Sequence, residues 1–142
     1  MFIGEYYHSV DDKGRLAVPV KFRAAFSGGA VVTRGLDNCL IVYTPSEWAK
    51  LADKWANLPL SQANTRAFSR LMLAGAMDVT LDKQGRIMVP DYLRRYGSLD
   101  KKVVWAGLYN RLELWDENAW REYTADSEKK SSDIAEQLGA GV

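Results

Sequence analysis

Residues 10–19 read VDDKGRLAVP and residues 81–90 read LDKQGRIMVP, so one short motif occurs twice in the chain. A shift of 71 positions superimposes Asp11 on Asp82, Gly14 on Gly85, Arg15 on Arg86, Val18 on Val89, Pro19 on Pro90 and, further on, Arg23 on Arg94. Each copy predicts a strand, a tight turn that holds the glycine, and a second short strand that ends at the proline. Glycine supplies the positive φ of such a turn, and an aspartate at its start can accept hydrogen bonds from backbone N–H groups two residues on.

The sequence that follows each motif repeats as well. After the first copy, the pattern predicts a short helix over 20–26, strands over 31–33 and 39–43, and a helix from Pro45 that Thr44 caps. After the second copy, it predicts a helix over 92–97, strands over 103–105 and 112–115, and a helix that Asp116 caps. Residues 35–38 and 107–110 are the predicted turns between the strands of each pair. The chain is therefore interpreted as a tandem duplication of a β-turn-β-helix-β-β-helix unit.

The division predicted from this pattern has four parts. Residues 1–60 form the first repeat, 61–76 a connecting helix, 77–125 the second repeat, and 126–142 a polar tail that is frayed or weakly helical. The apolar face expected of the connecting helix comprises Ala63, Ala67, Phe68, Leu71 and Met72. A unit of this size buries too little surface to be stable alone, so we expect the two repeats to share one core about a pseudo-twofold axis.

Composition is that of an ordinary soluble globular protein, with 47% hydrophobic and 26% charged residues among 142. The apolar runs are far shorter than a membrane span requires, and the first residues do not read as a secretory signal. Together with a single cysteine, this predicts a cytoplasmic protein. The net charge is only +1, but residues 8–23 hold Lys13, Arg15, Lys21 and Arg23 against two aspartates. Positive charge is therefore concentrated at the first motif.

Catalysis is not predicted. The chain has one histidine, His8, and one cysteine, Cys39, which leaves few members for a nucleophile–base set. Phosphate-binding glycine loops and metal ligands at recognised spacings are missing from the sequence, so neither a cofactor nor a metal is expected. Cys39 is interpreted as a small apolar strand residue, and His8 as a surface or hydrogen-bonded one.

Two interpretations of the Asp-x-x-x-Arg turns stay open on physical grounds. In the structural one, Asp11 and Arg15 lock the turn through hydrogen bonds and an ion pair. In the functional one, Arg15 and Arg86 project from one edge and contact phosphate or guanine, to which a guanidinium can donate two parallel hydrogen bonds. The two interpretations are compatible, because an aspartate can orient the arginine that contacts a ligand.

The duplicated Asp-x-x-x-Arg motif and the segment LELWD at residues 112–116 closely resemble the MraZ family, over nearly the whole chain to about residue 123. This family belongs to the AbrB-like swapped-hairpin superfamily. The resemblance implies an α+β fold in which a swapped-hairpin β-barrel unit with flanking helices is duplicated. It also implies a transcription factor associated with the nucleoid that binds the promoter of the division and cell wall gene cluster, including its own promoter. The resemblance further implies a ring-shaped homo-oligomer, an octamer or dodecamer, that binds repeated G-rich boxes in double-stranded DNA.

The residues that the resemblance implies for DNA contact are Asp11, Lys13, Arg15, Asp82 and Arg86. Gly14 and Gly85 are the structural turn residues. The second turn departs from the first, because Lys83 stands at the position of Asp12 and Gln84 at that of Lys13. Lys21 and Arg23 flank the first motif and are further candidates for phosphate contact, with plain solvent exposure as the alternative.

A second hypothesis is an AbrB-like protein-binding module of the antitoxin type. Such a module is expected to carry a long tail that wraps its partner. Residues 127–142 are short and little apolar, which favours the DNA-binding hypothesis.

Overall fold

The computed structural model describes residues 1–142, and it contains eight strands and five α-helices. The strands are β1 (Phe2–Ser9), β2 (Arg15–Ala17), β3 (Ala30–Arg34), β4 (Leu40–Tyr43), β5 (Met77–Val79), β6 (Arg86–Met88), β7 (Lys102–Tyr109) and β8 (Leu112–Asp116). The helices are α1 (Pro45–Ala56), α2 (Ala63–Ser69), α3 (Asp91–Tyr96), α4 (Glu117–Lys129) and α5 (Ser131–Leu138). Val20–Phe26 and Gly139–Gly141 are 3₁₀ helices, and Arg70–Ala74 continues α2 as a π-helical turn.

The main sheet has six strands in the order β1-β7-β8-β4-β3-β5, and every pair in it is antiparallel. The repeats correspond strand for strand: β1 with β5, β2 with β6, β3 with β7, and β4 with β8. Exchanging each strand for its counterpart gives the same order read backwards. The fold is therefore mixed α+β with a mostly antiparallel sheet, and its pairing is consistent with the predicted duplication.

The second strand of each motif does not pair with the strand that precedes its own turn. Strand β2 pairs instead with β6, and Leu16 lies opposite Ile87 at the centre of this two-stranded sheet. Within the first motif only a single bridge joins Val10 to Leu16. Two further bonds extend the pairing, from Val18 N–H to the Gly85 carbonyl and from Val89 N–H to the Gly14 carbonyl, each 2.9 Å. The two turns are thereby tied together by backbone hydrogen bonds. We call β2 and β6 the ribbon.

The turn predicted at 107–110 is wrong in part, because residues 107–109 belong to β7 and the chain reverses only at its end, where Leu108 N–H donates to the Arg111 carbonyl at 2.9 Å. The cause is β1, which begins at Phe2 and pairs along all of β7, with Phe2 opposite Tyr109. Gly107 lies opposite Gly4, and a side chain at Gly107 would meet the backbone of Ile3 at 2.5 Å. Gly107 therefore permits a close approach of two strands.

The core is shared by the two repeats, as expected. One cluster of buried residues includes Leu16 and Phe26 of the first repeat with Ile87, Leu93 and Trp105 of the second. Trp105 also donates its indole N–H to the carbonyl of Ala17 at 3.0 Å, so its polar atom is satisfied inside the core. This cluster lies under the ribbon and fixes its position.

Both predicted helix caps are confirmed. The hydroxyl of Thr44 accepts from Glu47 N–H at 3.3 Å, and the carboxylate of Asp116 accepts from Ala119 N–H at 3.1 Å. Helix α1 presents two half-buried tryptophans to a small cluster that contains Tyr43 and Met72.

The apolar face predicted for the connecting helix is wrong in part. Phe68 packs edge-on against Trp55 and Met72 is buried, but Ala63, Ala67 and Leu71 are exposed. The half-buried residues of α2 are Thr65, Arg66, Phe68 and Ser69, and the π-helical turn shifts the residues that follow Ser69. The polar tail is helical through Leu138, and all of its residues after Ser127 are exposed. None of the helices is both long and apolar enough to span a bilayer.

Candidate nucleic-acid interface

The two Asp-x-x-x-Arg turns have the same hydrogen bonds. In the first, one carboxylate oxygen of Asp11 accepts from the backbone N–H of Lys13 at 3.0 Å and of Arg15 at 2.8 Å. In the second, Asp82 accepts from the N–H of Gln84 and of Arg86, both at 2.9 Å. Each aspartate therefore satisfies two donors of its turn, as the structural interpretation predicts.

The other carboxylate oxygen of each aspartate holds the arginine side chain. Asp11 accepts from Nε of Arg15 at 2.6 Å, and Asp82 accepts from Nε of Arg86 at 2.8 Å. The Nη groups of both arginines make no hydrogen bond within the chain, and the two side chains are 33% and 29% exposed. Each guanidinium is thus oriented through one edge while its outer donors stay available to a ligand. This geometry bears out the structural interpretation and is compatible with the functional one, which stays a prediction.

Both aspartates are held in the ionised form. The hydrogen bond from the Arg15 N–H is the main cause that lowers the pKa of Asp11, and the Arg15 side chain adds to it. The N–H and side chain of Arg86 lower the pKa of Asp82 in the same way. A fixed negative charge therefore lies beside each arginine at neutral pH.

The ribbon brings the two arginines to one face. Side chains alternate along a strand, and Leu16 and Ile87 are the buried residues at the centre of β2 and β6. Arg15, Ala17, Arg86 and Met88 therefore share the outward face. Arg15 lies opposite Met88 and Ala17 opposite Arg86, so the two arginines are diagonal neighbours. Diagonal neighbours in an antiparallel pair have Cα atoms about 7–8 Å apart. The major groove of B-DNA admits a two-stranded ribbon, and arginine donates to guanine O6 and N7 there.

Gly14 and Gly85 are required both by conformation and by crowding. Their φ angles are +83° and +75°, values that residues other than glycine rarely adopt. A Cβ on Gly14 would lie 2.9 Å from Cζ of Arg94, and one on Gly85 would collide with the side chain of Arg23. The predicted turn conformation is confirmed.

These contacts show that Arg23 and Arg94 pack against the turns, which the sequence did not indicate. Arg23 donates through Nε to the Val18 carbonyl at 2.9 Å, and Arg94 donates to the Val89 carbonyl at 3.0 Å. Each guanidinium covers the turn glycine of the other repeat. Each turn is thereby built from both halves of the chain. The only signal in the sequence was their equivalence under the shift of 71, which does not show which turn each one reaches.

The remaining predicted residues lie at the first turn and beside the first repeat's core. Lys13 is exposed on the first turn, and Lys83 and Gln84 are exposed on the second. Lys21 is exposed beside the first repeat's core, with its ammonium 5.9 Å from the centre of the Tyr6 ring. The structure thus groups Lys13 with Arg15 at one turn, and Arg23 with Arg86 at the other.

His8 and Cys39 belong to neither turn. Burial, followed by the charge of Arg23, lowers the pKa of the half-buried His8. Cys39 is fully buried and donates from Sγ to the Leu36 carbonyl at 3.1 Å, and burial raises the pKa of its thiol to about 12. Such a thiol stays protonated at neutral pH and is a poor nucleophile. Histidines, cysteines and acidic residues form no group of three or more that could hold a metal ion.

Fold and site together define a duplicated α+β protein with arginines on the outward face of a two-stranded ribbon. A family model described as "MraZ protein, putative antitoxin-like" matches residues 1–71 and again residues 72–139. The chain is 48% identical over 138 residues to the transcriptional regulator MraZ of Natranaerobius thermophilus, which covers 97% of this chain and 96% of the relative. Identity is 44% to the protein of that name from Moorella thermoacetica and 42% to that from Caldanaerobacter subterraneus, with the same coverage. The chain belongs to the MraZ family, as its sequence predicted, and its relatives are named as transcriptional regulators.

Proposed function

We propose that this protein is a sequence-specific DNA-binding transcriptional regulator whose ribbon enters the major groove. The observation that carries the proposal is the pair of arginines, Arg15 and Arg86, held on one outward face with their Nη groups unused. The names of the relatives support regulation rather than catalysis as the activity.

The aspartates decide which DNA group each arginine contacts. A carboxylate 2.6 Å from the guanidinium of Arg15 offsets part of its charge and repels a phosphate that approaches from the same side. Directed hydrogen bonds to a base edge depend less on net charge than phosphate binding does. Arg15 and Arg86 therefore bind guanine O6 and N7, and Asp11 and Asp82 contribute by orienting them.

The lysines and arginines that surround the two motif arginines contact the phosphates. Lys13 is exposed at the first turn, and Arg23 lies across the second, where Gln84 replaces the lysine. Lys21 is a further contact at the flank. These residues set the position of the ribbon on the duplex and carry the salt dependence, whereas the two motif arginines carry sequence preference.

Several subunits act together in this proposal. A chain of net charge +1 with two short turns neutralises few phosphates, so one subunit binds weakly. A ring-shaped homo-oligomer, an octamer or dodecamer, presents many ribbons and gains affinity from repeated G-rich boxes. The target is the promoter of the division and cell wall gene cluster, including the protein's own promoter. The protein therefore acts in the cytoplasm, on the nucleoid.

The same proposal specifies the architecture in finer terms. Residues 1–60 and 77–125 are two AbrB-like repeats that form swapped-hairpin barrels about a pseudo-twofold axis, with 61–76 as the connection and 126–142 as the tail. What supports it is the exchange of pairing between repeats, in which β1 pairs with β7, β3 with β5, and β2 with β6.

The test is enrichment of duplexes from a random-sequence pool by the wild-type protein, compared with a double variant, Arg15→Ala with Arg86→Ala. The wild type is expected to enrich a guanine-containing element that recurs at about one helical turn, ~10 base pairs. The double variant is expected to enrich none. If the wild type enriches no sequence, or if the double variant enriches the same one, the proposal is wrong.

A second candidate function is protein binding of the antitoxin type, which the description of the matching family favours. In that case the ribbon is a structural element, and the arginine variants leave activity unchanged. The enrichment experiment separates the two candidates, because an antitoxin-type module without DNA preference enriches nothing.

A further inference from the structure

The outward face of the ribbon departs from the symmetry of the repeats at one pair of positions. Arg15 and Arg86 are equivalent and identical, whereas the equivalent residues Ala17 and Met88 differ. Met88 lies opposite Arg15, and Ala17 lies opposite Arg86. Arg15 therefore has a long apolar neighbour on the face that we assign to DNA, and Arg86 has only a methyl group.

Met88 has no role in the core. Its residue is 53% exposed, while its chain neighbours Ile87 and Val89 are buried and fill the space beneath the ribbon. A methionine is unbranched, flexible and polarizable, so it adapts to an irregular apolar surface. On this face it is exposed and lies opposite Arg15, whose Nη donors are unused.

We propose that Met88 is a specificity-determining residue that contacts the 5-methyl group of a thymine next to the guanine bound by Arg15. This inference rests on the proposed function. Thymine alone among the four bases presents a methyl group in the major groove, and apolar side chains recognise it there. Ala17 is too short to extend as far, so the unit of Arg86 and Ala17 has a weaker preference for a neighbouring thymine. The two halves of the ribbon therefore read different dinucleotides despite their equivalent turns.

The test uses the duplex that the wild-type protein enriches from a random pool. Each thymine is replaced in turn by deoxyuridine, which lacks only the 5-methyl group, and affinity is measured by fluorescence anisotropy. For the wild type we expect a loss of about fourfold at one thymine per ribbon, the factor that corresponds to one methyl-sized apolar group returned to water. That thymine is expected to neighbour a guanine whose replacement harms the wild type but not Arg15→Ala.

Two variants assign the effect to Met88. Met88→Ala is expected to bind the unmodified duplex about fourfold more weakly and to lose its response to deoxyuridine at that position. Met88→Leu keeps an apolar side chain and is expected to keep the response. The residue is exposed, so thermal unfolding of both variants is expected to match the wild type.

Each outcome decides the proposal. It is overturned if no thymine replacement weakens the wild type, if the enriched duplex contains no thymine beside such a guanine, or if Met88→Ala keeps the full deoxyuridine penalty. None of these three outcomes overturns the proposed function, which is decided separately by whether the wild type enriches a sequence that the double variant does not. If the wild type enriches nothing, the proposed function itself fails, and this inference fails with it.

Discussion

Replacement of Arg15 by alanine tests whether Arg15 contacts DNA while Asp11 supports the turn. In the wild type, Nε of Arg15 is engaged by Asp11 at 2.6 Å, and the Nη groups are free for DNA. The substitution removes those donors but leaves Asp11 with its hydrogen bonds from the backbone N–H groups of Lys13 and Arg15. The turn therefore keeps its main support, and the ion pair that is lost is partly solvated and contributes little to stability.

The expected loss of affinity follows from one base contact. A bidentate arginine–guanine pair discriminates by about 1–3 kcal/mol, which corresponds to a loss of roughly 5- to 150-fold for each ribbon that engages DNA. The assay is fluorescence anisotropy on the enriched duplex, with circular dichroism and light scattering to verify fold and assembly. Arg15→Lys keeps the charge but lacks the planar fork, so its loss is expected to approach that of alanine.

A matched control is Arg121→Ala. Arg121 also pairs with a carboxylate four residues away, Glu117, at 2.8 Å, but it lies on α4 and not on the ribbon. The control removes the same charge and is expected to bind DNA nearly as the wild type does. The reasoning is refuted if Arg15→Ala binds with wild-type affinity, or if Arg121→Ala loses as much.

Three further predictions concern the turn, its titration and the number of boxes. Gly14→Val is expected to lose both thermal stability and binding, because φ is +83° and Cζ of Arg94 would lie 2.9 Å from the new Cβ; a melting temperature equal to the wild type's contradicts the turn geometry. Asp11 and Asp82 are expected to titrate below the 3.8 of a free aspartate when followed by carboxylate NMR shifts. Because the folded pKa is the lower one, their stabilisation is fully present above the unfolded value of 3.8 and is lost as the pH falls through the folded pKa; midpoints at or above 3.8 contradict this. Duplexes with one, two and three boxes are expected to bind with increasing affinity and a steeper salt dependence, at a slope of about −0.9 per phosphate; equal slopes for all three exclude multivalent binding.

The turns were predictable because their determinants are local. Asp11, Gly14 and Arg15 lie within five consecutive residues, and each type has one physical reason to stand where it does. The caps at Thr44 and Asp116 were predictable for the same reason. The duplication followed directly from the recurrence of the motif.

Pairing between the repeats was not predictable from local pattern. Alternation along β2 shows that Leu16 is buried, but it does not show that the partner strand lies 71 positions away. The end of β7 was mispredicted for the same reason. The residues after Gly107 have the composition of a turn, but they are strand because they pair with β1. The position of Arg23 in the site could not be predicted for the same reason, since its contact with the Gly85 turn exists only once the two repeats are paired.

The central claim is that the ribbon's arginines read guanine in the major groove, and replacement of single guanines by 7-deazaguanine tests it most directly. This base lacks only the N7 acceptor, so phosphates and Watson–Crick pairing stay unchanged. For each motif arginine, replacement of one guanine is expected to lower the affinity of the wild type. Replacement of the guanine that Arg15 contacts is expected to leave the affinity of Arg15→Ala unchanged. A wild-type protein that binds the fully substituted duplex as tightly as the natural one contradicts the account.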